Sequence, residues 1–210
     1  MEHASDRLDQ PSPYHIVSPT MHSRLLDPRA SLPTTQTAIK QGSGGLLAVV
    51  PNALMPQLEP DAVLVRTAAV GLNPTDYKMS SSFPTPGATA GCDFAGTVAA
   101  VGVAVTDLEV GDRVCGAVHG SNPLEKDTGA FAEYVRVPSC MLIRVPDTVS
   151  WEQAAALGAV GHGTVAQALW SCMGLRYNPD EPAGEEESFP VLVYGGSTAT
   201  GTMAIQLLCL

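Results

Sequence analysis

The sequence predicts a mixed α/β protein: an irregular, strand-built barrel followed by a single βα unit. Three observations predict it. Short apolar runs separated by Gly, Pro and Asp turns recur from about residue 35 to residue 137, a spacing that favours a small barrel over a parallel sheet. The 210 residues include 20 glycines and 17 prolines, too many turn-formers for a helical bundle. The C-terminal stretch runs from Pro190 through Val191-Leu192-Val193-Tyr194 into Gly195-Gly196-Ser197-Thr198-Ala199-Thr200-Gly201 and an apolar segment over 203–210. That is an apolar strand, a glycine-rich turn and the start of a helix, the opening of a dinucleotide-binding βαβ unit.

Residues 1–33 hold Pro11, Pro13, Pro19, Pro28 and Pro33 with little periodicity, and such a segment is expected to be a disordered tail. His3, His15 and His22 lie in it at a spacing that fits no metal motif. Strands are expected at 37–39 and 46–50 around the turn 41–45, then at 62–70, at 96–102 and after the Gly111-Asp112 turn. A further strand is expected over 129–137, where apolar residues alternate in period two. Helix signals begin at Ser150, with Gln153 at the capping-box position, and a second helix is expected over about 164–172. The polar, acidic stretch 178–187 reads as a solvated hinge. The expected organisation is thus a tail (1–33), a barrel domain with connecting helices (34–172), an acidic hinge loop (173–189) and the start of a nucleotide-binding domain (190–210).

Charge and cysteine usage exclude several classes. The net charge is −10 with only 11 Lys and Arg, so nucleic acid is not an expected partner. Five well-separated cysteines, Cys92, Cys115, Cys140, Cys172 and Cys209, form no C-x-x-C pair. With no apolar signal segment near Met1 and no long apolar run, a cytoplasmic, monomeric protein without membrane contact is expected.

The order of motifs resembles the medium-chain dehydrogenase/reductase superfamily, over about residues 35–210. The residues that carry the likeness are Gly71-Leu72-Asn73-Pro74-Thr75-Asp76-Tyr77-Lys78, Gly91-Cys92-Asp93-Phe94-Ala95-Gly96 and Val110-Gly111-Asp112-Arg113-Val114. They continue with Gly129-Ala130-Phe131-Ala132-Glu133-Tyr134, Ala154-Ala155-Ala156-Leu157-Gly158 and the turn 195–201. The resemblance implies a GroES-like β-barrel domain followed by only the first βα unit of a Rossmann domain. Zinc-dependent members carry G-H-E where this chain has Gly91-Cys92-Asp93, and they have a four-cysteine lobe where only Cys115 falls between Val114 and Gly129. The converging ligands of a tetrahedral site are missing, so no metal is expected; Cys92 and Asp93 read as packing and hydrogen-bonding residues.

Among zinc-free branches, Asn73-Pro74-x-Asp76-x-Lys78 and Tyr194-Gly195-Gly196-Ser197-Thr198 look most like the fungal trans-acting enoyl reductases of the lovastatin-pathway type. That likeness implies NADPH-dependent reduction of an α,β-unsaturated polyketide thioester. The partner would be the acyl-carrier domain of a polyketide synthase, or of a polyketide synthase–peptide synthetase hybrid. It implies cofactor contacts at Thr75, Asp76, Tyr77, Lys78, Ser197, Thr198, Ala199 and Thr200, with Lys78 as the catalytic residue. It implies an acyl channel along Thr164, Val165, Ala166, Gln167, Ala168, Leu169, Trp170 and Ser171. His162 is left out of the site. Ser197 and Thr198 have a second reading as helix caps, and both roles use the same N–H donors.

Two alternatives stand beside this reading. One is a quinone-oxidoreductase-like zinc-free reductase. The other is a truncated, catalytically inactive paralogue or remnant, because no second strand follows residue 210 to carry a ribose-reading residue. On that ground the isolated chain is expected neither to hold NADPH with useful affinity nor to reduce an enoyl thioester.

Overall fold

A computed structural model of the chain describes residues 32–176, 180, 182, 184 and 189–209. The expected tail up to residue 31, with its three histidines, and residues 177–179, 181, 183 and 185–188 of the expected hinge lie outside the described residues.

Among the described residues, seven strands build the barrel. β1 (Thr35–Gln41) and β2 (Leu47–Leu54) form an antiparallel hairpin around a 3₁₀ turn at Ser43–Gly45. β3 (Ala62–Gly71), β4 (Asp93–Val101), β5 (Arg113–Ala117), β6 (Tyr134–Pro138) and β7 (Leu142–Arg144) make a five-stranded sheet in the order β6-β3-β4-β5-β7, antiparallel throughout.

The two faces of that sheet follow from period-two alternation along its strands. Val63, Val65, Phe94, Val98, Val114, Val135 and Val137 are buried together inside the barrel. Ala95 and Cys115, one residue along from Phe94 and Val114, point the other way, into a second cluster with Val145, Ala154 and Ala155. Small residues on that outer face let helix α2 (Trp151–Leu157) lie flat against β3, β4 and β5. The expected cap of α2 is present: Gln153 donates its backbone N–H to Ser150 Oγ at 3.2 Å, and Ser150 N–H returns to Gln153 Oε1 at 3.1 Å.

Three expectations need correction. The period-two run 129–137 is not one strand, because only Tyr134–Pro138 pairs with β3. Residues 131–133 bond to β1, through Ile39 N–H to the Phe131 carbonyl at 2.7 Å and Glu133 N–H to the Thr37 carbonyl at 3.1 Å, and Glu133 makes the change-over, its own carbonyl accepting the Thr67 N–H of β3 at 2.9 Å. The segment changes partner midway and so closes the barrel.

The second connecting helix starts earlier than expected. α3 spans Ala159–Ala166, and residues Gln167–Cys172 continue it with π-type geometry.

Finally, 191–193 form no strand, and Leu192 and Tyr194 are 90% and 99% exposed. A strand is defined by ladder bonds to a neighbour, and among the described residues none lies alongside. The helix after it does form, as α4 (Ala199–Leu208), because its hydrogen bonds are internal.

Candidate functional site

The site is assembled from three chain segments that meet at the open end of β3 and β4. Helix α1 (Pro74–Ser82) begins there. Pro74 sits at its first position, where a missing N–H costs nothing. Asp76, three residues after Asn73, accepts the Asn73 N–H through Oδ2 at 2.7 Å, the returning arm of a capping box. α3 begins at the same place, and α4 packs against α3 with Met203 facing Gly161. Between them lies a cleft of about 330 Å³ bordered by Leu72, Asn73, Asp93, Gly161, Ala199 and Met203. A shallower apolar groove, lined by Ile39, Val49, Thr67 and Phe131 among others, shares Val70 and Leu72 with it.

Asp93 is the buried polar centre of this region, 4% exposed. Its Oδ2 accepts Asn73 Nδ2–H at 2.7 Å and its Oδ1 accepts the Val160 N–H at 3.0 Å. The expectation that Asp93 packs and hydrogen-bonds fits this geometry. No sequence signal could give its partners, which lie 20 and 67 residues away.

Burial raises the Asp76 carboxyl above its ordinary pKa, and this outweighs the Asn73 N–H bond that opposes it. Cys92, beside both carboxylates, is pushed up to about 11, first by burial and then by the negative charge of Asp76 and Asp93. Its thiol is therefore protonated at neutral pH and is no nucleophile. Among the described residues no group of three or more His, Cys, Asp and Glu is placed to hold a metal ion.

The expected cofactor residues fall into two sets. Thr75, Asp76, Tyr77 and Lys78 lie on the first turns of α1. Lys78 and Tyr77 are exposed, Asp76 is turned inward, and none of the four lines the cleft itself, whose edge is Asn73. Ser197, Thr198, Ala199 and Thr200 form the turn into α4, and Ala199 lines the cleft.

Thr198 is the N-cap of α4, its hydroxyl accepting the Gly201 N–H at 3.0 Å and donating to the Gly195 carbonyl at 2.8 Å. The N-termini of α1 and α4 thus border one cleft. The expected acyl residues do not reach it. Val165 and Leu169 are buried, while Thr164, Gln167, Ala168 and Ser171 are exposed on the outer side of α3 and the π-type turn.

Residues 59–147 match the alcohol dehydrogenase GroES-like domain. A trans-enoyl reductase of Aspergillus flavipes is 51% identical over 180 residues, which is 84% of this chain and 49% of that protein. One from Aspergillus clavatus is 50% identical, again over 84% of this chain and 49% of the relative. The chain belongs to the medium-chain dehydrogenase/reductase superfamily. This superfamily member spans about half the length of the curated relatives it matches.

Its fold is shared with an alcohol dehydrogenase superfamily protein from Novosphingobium aromaticivorans, with a TM-score of 0.69 and 29% identity over 83% of this chain and 50% of that one. It is also shared with a mycobacterial protein complexed with NADPH, with a TM-score of 0.62 and 28% identity over 82% of this chain and 49% of that one.

The glycine turn suits a pyrophosphate. Gly195 has φ +84°, a backbone state reserved largely for glycine, and a Cβ on Gly201 would stand 2.2 Å from the Gly195 carbonyl oxygen. The turn is therefore folded tightly onto the first turn of α4, where Thr198 Oγ takes the Gly201 N–H and the Ala199 and Thr200 N–H groups precede any intrahelical acceptor, an arrangement suited to an anion.

Proposed function

We propose that the protein acts as a trans-acting enoyl reductase, reducing an α,β-unsaturated polyketide thioester carried on the acyl-carrier domain of a polyketide synthase or synthase–peptide synthetase hybrid. The observation that supports this most directly is the cleft shared by the start of α1 and the start of α4, in a chain half-identical to trans-enoyl reductases. In this reading residues 34–172 form the catalytic domain, 173–189 the hinge and 190–210 the start of the NADPH-binding domain.

NADPH, when bound, supplies the hydride for the β-carbon. The turn 195–198 and the first N–H groups of α4 hold its phosphate oxygens, with the Ser197 and Thr200 hydroxyls beside them. Thr198 fixes the turn as its cap. In this reading Tyr77 and Lys78, exposed on the first turns of α1 and outside the lining of the cleft, meet the cofactor and substrate. The Lys78 ammonium stabilises the negative charge that develops on the thioester oxygen as the enolate forms, and a proton from water then reaches the α-carbon to complete the reduction. Residues 164–171 lie outside the cleft, and in this reading their exposed side chains guide the acyl chain on its way to it. The protein works in the cytoplasm; no helix among the described residues is long and apolar enough to cross a membrane.

A second reading, a chain that keeps the GroES-like domain and does not hold NADPH, is favoured by one observation. Residues 191–193 form no strand, and Leu192 and Tyr194 stand almost fully exposed. Calorimetric titration with NADPH separates the two: micromolar binding removes the second reading, and no binding removes the first for this chain. Where turnover of a carrier-bound enoyl thioester is measurable, Lys78→Ala should lower it; unchanged turnover takes Lys78 out of the site.

A further inference from the structure

We infer that Asp93 is a positioning residue, a buried clamp that fixes the distance between the two walls of the cleft. The inference rests on the reductase reading for its functional consequence, although the clamp itself stands on geometry. Asp93 opens the central strand β4, paired to Gly71 on one side and Ala117 on the other, so its backbone is held by the most buried part of the sheet. Its side chain is equally fixed. One oxygen takes the Asn73 carboxamide at 2.7 Å and the other takes the Val160 N–H at 3.0 Å.

Asn73 is the residue from which α1 starts, and Val160 lies in the first turn of α3, whose Gly161 carries Met203 of α4. A single carboxylate therefore joins the α1 wall to the α3–α4 wall. A buried carboxylate whose oxygens both accept hydrogen bonds leaves each donor costly to strand, so neither wall moves alone. The approach is tight enough to dictate a glycine. A Cβ on Gly158, at φ +26°, would lie 2.2 Å from the Asp93 Cγ and 2.5 Å from each carboxylate oxygen.

The experiment uses two variants of the full chain. Asp93→Asn places an amide where two donors converge, so one of its bonds is lost whichever way it turns. Asp93→Asn combined with Asn73→Asp restores both bonds: the new amide donates to the new carboxylate and its oxygen accepts from Val160, at unchanged net charge. Two quantities are read in each, amide hydrogen exchange and NADPH affinity.

Asp93→Asn should speed exchange at Val160 roughly tenfold or more while Val65 and Val98 in the sheet keep the wild-type rate. NADPH should bind roughly tenfold more weakly, and the double variant should recover both. Unchanged exchange at Val160, exchange rising uniformly across the sheet, or a double variant no better than the single would overturn the clamp. If the wild-type chain binds no NADPH, the reductase reading fails for this chain, and the exchange measurements still decide the clamp.

Discussion

Gly161 of α3 faces Met203 of α4 so closely that a Cβ on the glycine would lie 2.5 Å from the methionine sulfur. Gly201, one turn into α4, meets backbone instead, with the same hypothetical atom 2.2 Å from the Gly195 carbonyl oxygen. The two contacts lie at the same helix junction and differ only in what must yield. A thioether side chain can turn aside; a capped turn cannot. Gly161→Ala should therefore change stability little, whereas Gly201→Ala should cost about 1–3 kcal/mol and open the turn. Urea unfolding, together with proteolysis at residues 195–201, measures both. Equal losses would show that the turn is as compliant as the methionine.

Arg113 fastens the sheet to the first connecting helix. Its guanidinium stacks 3.9 Å from the centroid of the Trp151 ring and donates through Nη2 to the Val149 carbonyl at 2.6 Å. The ion pair to Asp147, at 3.6 Å, adds little, because Asp147 is 95% exposed. Lysine keeps the charge and loses the planar face and the fork. Arg113→Lys should cost roughly 1 kcal/mol, a fall in Tm of about 2–4 °C for a chain of this length. Asp147→Ala should leave Tm almost unchanged. Scanning calorimetry on the two variants tests the ranking.

How much of this was legible in the sequence depends on the range of the interaction. β3, with its unbroken apolar run 62–65, and α2, with Ser150 and Gln153 three apart, carry local signals and form as expected. α1 is not among the expected elements: Asn73-Pro74-x-Asp76 spells a cap, a first-turn proline and an acidic third position, yet the segment reads only as a motif of the family likeness. β7, three residues long, has no local signal and exists because Cys115 and its neighbours offer a free edge. The run 129–137 looks like one strand because period two says which face a residue takes and not which strand it pairs with. Val191 to Tyr194 has the spelling of a strand, and pairing is decided by neighbours. In the cleft, the contributions of Gly161 and Met203 come from a helix crossing, and the partners of Asp93 are long-range. No spacing rule reaches either.

The loop before β5 supplies a pH test. Asp112 Oδ2 accepts the Glu109 N–H at 3.0 Å and Arg144 Nη2 at 2.8 Å. The backbone bond first, and the arginine after it, hold this carboxyl below its ordinary value of 3.8. A carboxyl with a depressed native pKa contributes stability that is complete above its unfolded value and is lost as pH falls through the native one. Asp112→Asn should thus destabilise the protein at pH 7, and the gap to wild type should close below about pH 4. Denaturant midpoints for both proteins across that range check the sign; a gap that persists undiminished in acid would assign the effect to shape rather than charge.

Asp76 should behave in the opposite sense. It is 7% exposed, and burial, helped by the charge of Asp93, raises its pKa against the pull of the Asn73 N–H. Its native state therefore binds the proton more tightly than the unfolded chain does. The charged form carries a penalty that is complete above the raised native pKa, shrinks as pH falls through it, and is gone at the unfolded value near 3.8. Asparagine keeps an oxygen for the Asn73 N–H and removes the buried charge. Asp76→Asn should accordingly be more stable than wild type at pH 7, with the advantage fading as pH approaches 4. Because α1 is capped through that same oxygen, helix content should not change. Urea titrations at pH 7.0 and 4.5, with far-ultraviolet circular dichroism, read both quantities. A variant less stable than wild type at neutral pH would mean that the carboxylate's bond to the α1 start outweighs the cost of burying its charge.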